Sequence, residues 1–132
     1  MDKKFSYPKY LTGKKILVMG LGLHGGGVET VRFLARGHND ITVTDLRSKK
    51  ELSSSLRQLK NYKNINYILG EHREEDFIQA DLVIKGPGVN PDSHYLKIAR
   101  EHNVPVTNDI AIFFASCPAK IIGVTGTRGK ST

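Results

Sequence analysis

The sequence predicts an α/β fold: a parallel sheet of about five strands with flanking helices. Short apolar runs alternate with segments of helical spacing along the chain, the pattern of repeated β-then-α units. The runs are continuously apolar, as strands covered on both faces are. The first run leads through a glycine-rich turn straight into a helical pattern.

Ile16, Leu17, Val18 and Met19 form the first strand, and residues 20–27 a loop. Val28, Val31, Leu34 and Ala35 recur at helical spacing, and Gly37 ends that helix. Residues 41–44 read as the second strand, 48–59 as a mostly polar helix, and 65–69 as a third strand stopped by Gly70. The acidic stretch 71–76 with Phe77 and Ile78 is a short helix or turn, and 82–84 a fourth strand ended by Gly86-Pro87-Gly88. Asn90-Pro91 offers a cap followed by a first-turn proline, opening a helix to about Glu101. Residues 104–106 form a fifth strand, 109–115 a small apolar helix or hinge, and 121–124 a strand feeding the terminal loop. The pattern breaks at Cys117-Pro118, which divides the chain into a domain at 1–115 and the start of a second at 116–132.

A chain of 132 residues suits one domain with a usable core. Its net charge of +7 is spread over Lys3, Lys4, Lys9, Lys14 and Lys15, then Arg47, Lys49, Lys50, Arg57, Lys60 and Lys63. No comb of basic residues interleaves with stacking aromatics, so the charge implies general attraction to anions and no nucleic-acid partner. A single cysteine excludes an internal disulfide and fits a reducing compartment. The polar N-terminus has no signal-peptide core, and the longest apolar runs, 16–23 and 110–117, are too short to span a bilayer. The expectation is a monomeric cytoplasmic protein with no membrane insertion.

Two glycine-rich loops carry the chemistry. Gly20-Leu21-Gly22-Leu23-His24-Gly25 follows the first strand and opens the first helix, the context in which G-x-G-x-x-G marks a diphosphate site. Gly20 permits the tight turn, Gly22 lets backbone approach the diphosphate, and Gly25 lets helix pack on strand. His24 either donates to phosphate or is a solvated imidazole. Asp45, 20 residues past Gly25, ends the second strand, where a carboxylate can accept from a ribose hydroxyl or from the N–H of a uracil ring. Arg47 flanks a base or phosphate, or simply starts a solvated basic helix. Gly86-Pro87-Gly88 sits at the carboxyl edge of the sheet as a ligand-approaching or purely structural turn.

The second loop is Gly126, Thr127, Arg128, Gly129, Lys130, Ser131 and Thr132, after an apolar strand. Its glycines let N–H groups close around phosphate, Lys130 supplies a mobile charge, and the Ser131 hydroxyl can ligate Mg²⁺. Such a loop normally opens a helix, so the chain reads as the front portion of a larger ATP-using protein. A nicotinamide-dependent oxidoreductase also fits the first loop and Asp45 but gives the terminal loop no role. A non-catalytic nucleotide-binding module is the remaining alternative.

These residues resemble the Mur ligases, ATP-dependent amino-acid ligases of peptidoglycan synthesis, whose nucleotide loop reads T-G-T-x-G-K-[ST], as residues 125–131 do. The resemblance spans about 14–132. It is nearest to the D-glutamate-adding type in its G-L-G-x-x-G opening, Asp45 and Arg47, Pro87-Gly88, and Asn108-Asp109-Ile110. It implies that Gly22, Leu23, His24, Gly86, Pro87 and Gly88 hold a UDP diphosphate and sugar, and that Asp45, Leu46 and Arg47 hold the uracil. It further implies ATP and Mg²⁺ on residues 126–132, with Lys130 catalytic. The implied fold is a Rossmann-like substrate domain, followed here by the first strand and phosphate loop of an ATPase domain. The implied reaction activates the carboxylate of UDP-N-acetylmuramoyl-L-alanine as an acyl phosphate for attack by D-glutamate, whose site lies outside this chain. The chain alone is then expected to bind substrate weakly and make no product. Gly86 stands where the family has serine, removing a hydroxyl contact, and Arg128 where it has asparagine. Gly25-Gly26-Gly27 is unusually glycine-rich.

Overall fold

The computed structural model describes residues 9–23 and 26–108. His24, Gly25, the hinge, Cys117, the proposed domain boundary and the whole terminal loop lie outside the described residues. After a 3-10 turn at Lys9–Leu11, the order is β1 (Lys15–Met19), α1 (Gly26–Ala35), β2 (Asp40–Asp45), α2 (Ser53–Gln58), β3 (Ile65–Leu69), α3 (Glu74–Gln79), β4 (Leu82–Lys85), α4 (His94–Glu101) and β5 (Val106–Asn108). All five strands are parallel, in the spatial order β3-β2-β1-β4-β5.

The continuous apolar runs divide by parity between two cores, because successive strand side chains point to opposite faces. Ile16, Val18, Ile41, Val43 and Ile84 pack on one face against Val28, Val31 and Leu34 of α1 and against Leu52 and Leu59. Leu17, Met19 and Val83 pack on the other against Phe77 of α3 and Leu96 and Ala99 of α4. Phe77 and Leu96 are fully buried. The chain moves outward from β1 to β3, then crosses back to β4 on the far side of β1. The carboxyl ends of β1 and β4 therefore flank the point where the connections diverge, which is where open α/β sheets hold ligands.

The five strands expected up to residue 106 are present, with β5 shifted to Val106–Asn108 from the expected 104–106, and the strand expected at 121–124 lies outside the described residues. Helix starts differ more. Residues 48–52 form turns before α2, held by Ser48 and Glu51, each accepting the other's backbone N–H (2.8 and 3.2 Å). Asn90 does not cap α4. Its Oδ1 accepts from Asp92 N–H in a local turn (2.8 Å), and Ser93 Oγ caps the helix by accepting from Tyr95 N–H (3.3 Å). Helix α1 begins at Gly26, two residues before the first expected helical residue.

That early start gives Gly27 a specific packing role. A Cβ at Gly27 would overlap the Leu21 carbonyl oxygen and stand 2.7 and 2.8 Å from the Leu21 carbonyl carbon and Cα. A Cβ at neighbouring Gly26 would meet nothing within 4 Å. Close approach of helix to loop therefore runs through Gly27, while Gly25, to which the spacing assigns helix packing, lies outside the described residues. Gly26→Ala should be neutral or stabilise by up to about 1 kcal/mol through helix propensity. Gly27→Ala should destabilise by roughly 2 kcal/mol or more, because overpacking against backbone outweighs that gain. Denaturant titration of both variants checks the contrast.

Candidate functional site

A crevice of about 470 Å³ opens at the carboxyl ends of β1 and β4, within the range of small-molecule sites. The turn after β1 and the Gly86–Gly88 turn after β4 form its floor, while Leu46 and Arg47 stand at one side and His72, Ser93 and Tyr95 at another. The two turns touch. Gly86 N–H donates to the Met19 carbonyl (2.8 Å), and a Cβ at Gly86 would come within 2.9 Å of the Gly20 carbonyl oxygen. A serine at Gly86 would thus require the two turns to separate, a physical reason for glycine at this position. Gly20 and Gly22 adopt φ of +95° and +76°, left-handed conformations that glycine enters without steric cost.

Asp45 organises the turn. Its carboxylate is 3% exposed and accepts from Leu21 N–H (2.9 Å) and Gly22 N–H (3.1 Å) through Oδ2, and from Arg47 N–H (2.9 Å) through Oδ1. The Arg47 guanidinium lies 3.5 Å from Oδ1 with its side chain about half exposed. From α2, Ser55 Oγ donates to the Gly22 carbonyl (2.9 Å), so both polar backbone groups of Gly22 are engaged within the protein. Motif spacing assigns Asp45 and Gly22 to a ligand, and their bracing of one another was not visible there. The approach expected at Gly22 remains open through its Cα, where a Cβ would meet nothing within 4 Å; the same holds at Gly88. A ligand can therefore press against bare backbone at both turns. Leu23 and Leu46, 50% and 66% exposed, add apolar surface able to cover a flat ring.

The structure thus brings Gly22, Leu23, Asp45, Leu46, Arg47, Gly86, Pro87 and Gly88 to one crevice. His24 and residues 126–132 fall outside the described residues. Among the described residues, no three His, Cys, Asp or Glu side chains could hold a metal ion, and no helix is long and apolar enough to cross a membrane.

Sequence reasoning missed His72, two residues past Gly70 at the carboxyl end of β3; that position at the ligand-bearing edge was the available signal. Its ring meets Phe77 and Tyr95 edge-on, with centroids 6.0 and 5.2 Å apart. Nδ1 lies 2.7 Å from Thr44 Oγ1, and that hydroxyl donates to the Glu71 carbonyl (3.1 Å). Burial lowers the His72 pKa below its ordinary value, with the Asp45 charge opposing.

Two outcomes follow from this geometry. Asp45→Ala strands the Leu21 and Gly22 amides and should cost roughly 2–4 kcal/mol in denaturant titrations, whereas a purely ligand-contacting carboxylate would leave stability unchanged. Asp45→Asn keeps one acceptor for those amides and should cost less. For His72, the unfolded chain takes up a proton before the folded one as pH falls. The stability from its neutral form is complete above the ordinary value of 6.5 and is lost as pH falls below it toward the lowered folded-state pKa. The melting temperature should fall over that window, and His72→Gln should flatten the fall.

Comparison with known proteins adds the family. Residues 14–108 match the model of the Mur ligase MurD-like N-terminal domain. A UDP-N-acetylmuramoylalanine--D-glutamate ligase of Roseiflexus sp. (strain RS-1) is 50% identical over 122 residues, which are 92% of this chain and 26% of that protein. The protein of the same name from Treponema pallidum is 42% identical over 123 residues, 92% of this chain and 23% of its own length. The chain thus spans about a quarter of the length of these relatives. Among solved structures, the UDP-N-acetylmuramate-alanine ligase MurC of Thermotoga maritima superimposes with a TM-score of 0.58 at 26% identity, covering 89% of this chain and 24% of that one. With the family model matching most of the chain and the crevice built from that same stretch, the chain belongs to the MurD-like Mur ligases, whose N-terminal domain it carries.

Proposed function

We propose that the chain is the substrate-binding portion of an ATP-dependent ligase that adds D-glutamate to UDP-N-acetylmuramoyl-L-alanine in cytoplasmic peptidoglycan synthesis. The observation that carries this reading is the crevice between two glycine turns, open where a Cβ would stand at Gly22 and Gly88. A diphosphate fits there because bare backbone admits its oxygens closely and the N-terminus of the ten-residue helix α1 opens beside the first turn. The Leu21 and Gly22 amides are held by Asp45 and the Gly86 amide by the Met19 carbonyl, so the phosphates fall to Leu23, to the helix start at Gly26 and Gly27, and to Gly88. Leu46 and Arg47 then flank the uracil, with Asp45 fixing the turn that positions it.

In the longer protein, Gly126, Thr127, Arg128, Gly129, Lys130, Ser131 and Thr132 would hold ATP. Lys130 would neutralise charge on the transferring phosphoryl group, and Ser131 would take Mg²⁺. The Roseiflexus and Treponema relatives, both named as D-glutamate ligases, support D-glutamate as the added amino acid.

The nicotinamide reading is favoured by the strand order and by Asp45 at the end of β2. It is weakened because the Asp45 carboxylate already accepts three backbone amides and faces Arg47, leaving little capacity for a ribose diol. Calorimetric titration of the chain with UDP, UDP-N-acetylmuramoyl-L-alanine and NADH separates the two. The muramoyl nucleotide should bind tightest, and tighter binding of NADH would overturn the proposal.

A further inference from the structure

The Thr44–His72 contact bears on the protonation of a ring that lines the crevice. A hydroxyl has one proton, and a carbonyl oxygen can only accept. Both contacts of Thr44 Oγ1 are hydrogen bonds at once only if its proton goes to the Glu71 carbonyl (3.1 Å) and His72 donates Nδ1–H across the 2.7 Å contact. In the neutral ring, Nε2 then carries the lone pair. Nε2 has no partner among the described residues, and His72 lines the crevice. The ring cannot turn away easily: Phe77, fully buried, and Tyr95 hold it edge-on from α3 and α4.

We propose that His72 is a ligand-binding residue of the crevice, held by Thr44 as the Nδ1-protonated imidazole so that Nε2 accepts a hydrogen bond from a hydroxyl of the bound nucleotide sugar. The identity of that ligand rests on the function proposed above, whereas the acceptor state of Nε2 rests on the Thr44 and Glu71 contacts alone. An acceptor at this wall favours hydroxyl-bearing ligands over bare phosphates, which offer no donor near neutral pH. Two sources of hydroxyl are available, the ribose and the sugar attached to the diphosphate. Burial, which keeps the ring neutral, works in the same direction.

Long-range ¹H–¹⁵N spectra of the ligand-free chain, labelled at histidine, read the tautomer directly. Nδ1–H at His72 is expected, and Nε2–H would overturn the inference whatever the chain binds. His72→Phe keeps a ring against Phe77 and Tyr95 while removing the acceptor. Near pH 8 it should lose about five- to tenfold in affinity for the hydroxyl-bearing nucleotide, the scale of one neutral hydrogen bond, with pyrophosphate affinity unchanged. A loss already seen with UDP assigns the ribose, and a loss seen only with UDP-N-acetylmuramate assigns the appended sugar. Unchanged affinity for both, or a loss for pyrophosphate as well, would overturn the proposal. His72→Gln, able to offer an amide oxygen, should recover part of the affinity and serves as a second variant where the phenylalanine chain folds poorly. Failure of the unmodified chain to bind either nucleotide would remove the uridine reading, and the tautomer would still decide the acceptor state.

Discussion

Leu21 and Gly22 donate their backbone N–H groups to Asp45, and the crevice has its shape because they do. The turn after β1 enters left-handed backbone at Gly20 and Gly22, which leaves polar groups pointing away from any ladder. A carboxylate from the end of β2, 3% exposed, collects two of them and takes the Arg47 N–H besides. Charge-assisted bonds of this kind are stronger than neutral ones, and burial sharpens the cost of breaking them. With Ser55 donating to the Gly22 carbonyl, the turn is gripped by both the strand and the helix of the neighbouring β2–α2 unit. A ligand arriving there meets backbone already in place and spends little on ordering it.

Two further close approaches depend on that fixed turn. Helix α1 can lie against Leu21 only because Gly27 carries no Cβ, and the β4 turn can touch Gly20 only because Gly86 carries none. The helix end, the β1 turn and the β4 turn are thus stacked at backbone distance. The two cores beneath belong to opposite faces of the sheet, so the floor is anchored by α1 on one side and by α3 and α4 on the other.

Much of this was legible in the chain. Ile16, Leu17, Val18 and Met19 announce a strand covered on both faces, and the glycine turn and Asp45 mark the carboxyl edge of the sheet. Local capping was legible in part: Asn90-Pro91 looks like a helix start, yet Asn90 closes its own turn and Ser93 caps three residues later, two short polar side chains competing for the same task. What the sequence withheld is tertiary. Asp45 lies 23 residues from Gly22 and Ser55 lies 33, so neither contact has a sequence period, and both appear only when β1 and β2 pair in register. His72 was hidden for the same reason, since it acquires Thr44 from β2 and Tyr95 from α4.

The surplus positive charge bears on binding differently from what a net charge of +7 suggests. Among the described residues that line the crevice, the charged ones are Asp45 and Arg47, which face each other, and His72 is held toward its neutral form. Lys49, Lys50, Arg57 and Lys60 stand exposed along the α2 segment instead. Those lysines and arginines can draw an anion toward this side of the sheet, an effect that salt screens over about 10 Å. In the binding proposed above, the grip on the anion is short-range: a helix terminus and the absence of side chains at Gly22 and Gly88. Attraction and grip are therefore carried by different parts of the chain. A polypeptide could lose much of its basic surface and keep its site, whereas one methyl group at Gly27, or the loss of the Asp45 carboxylate, would disturb the site while leaving the distant field almost untouched.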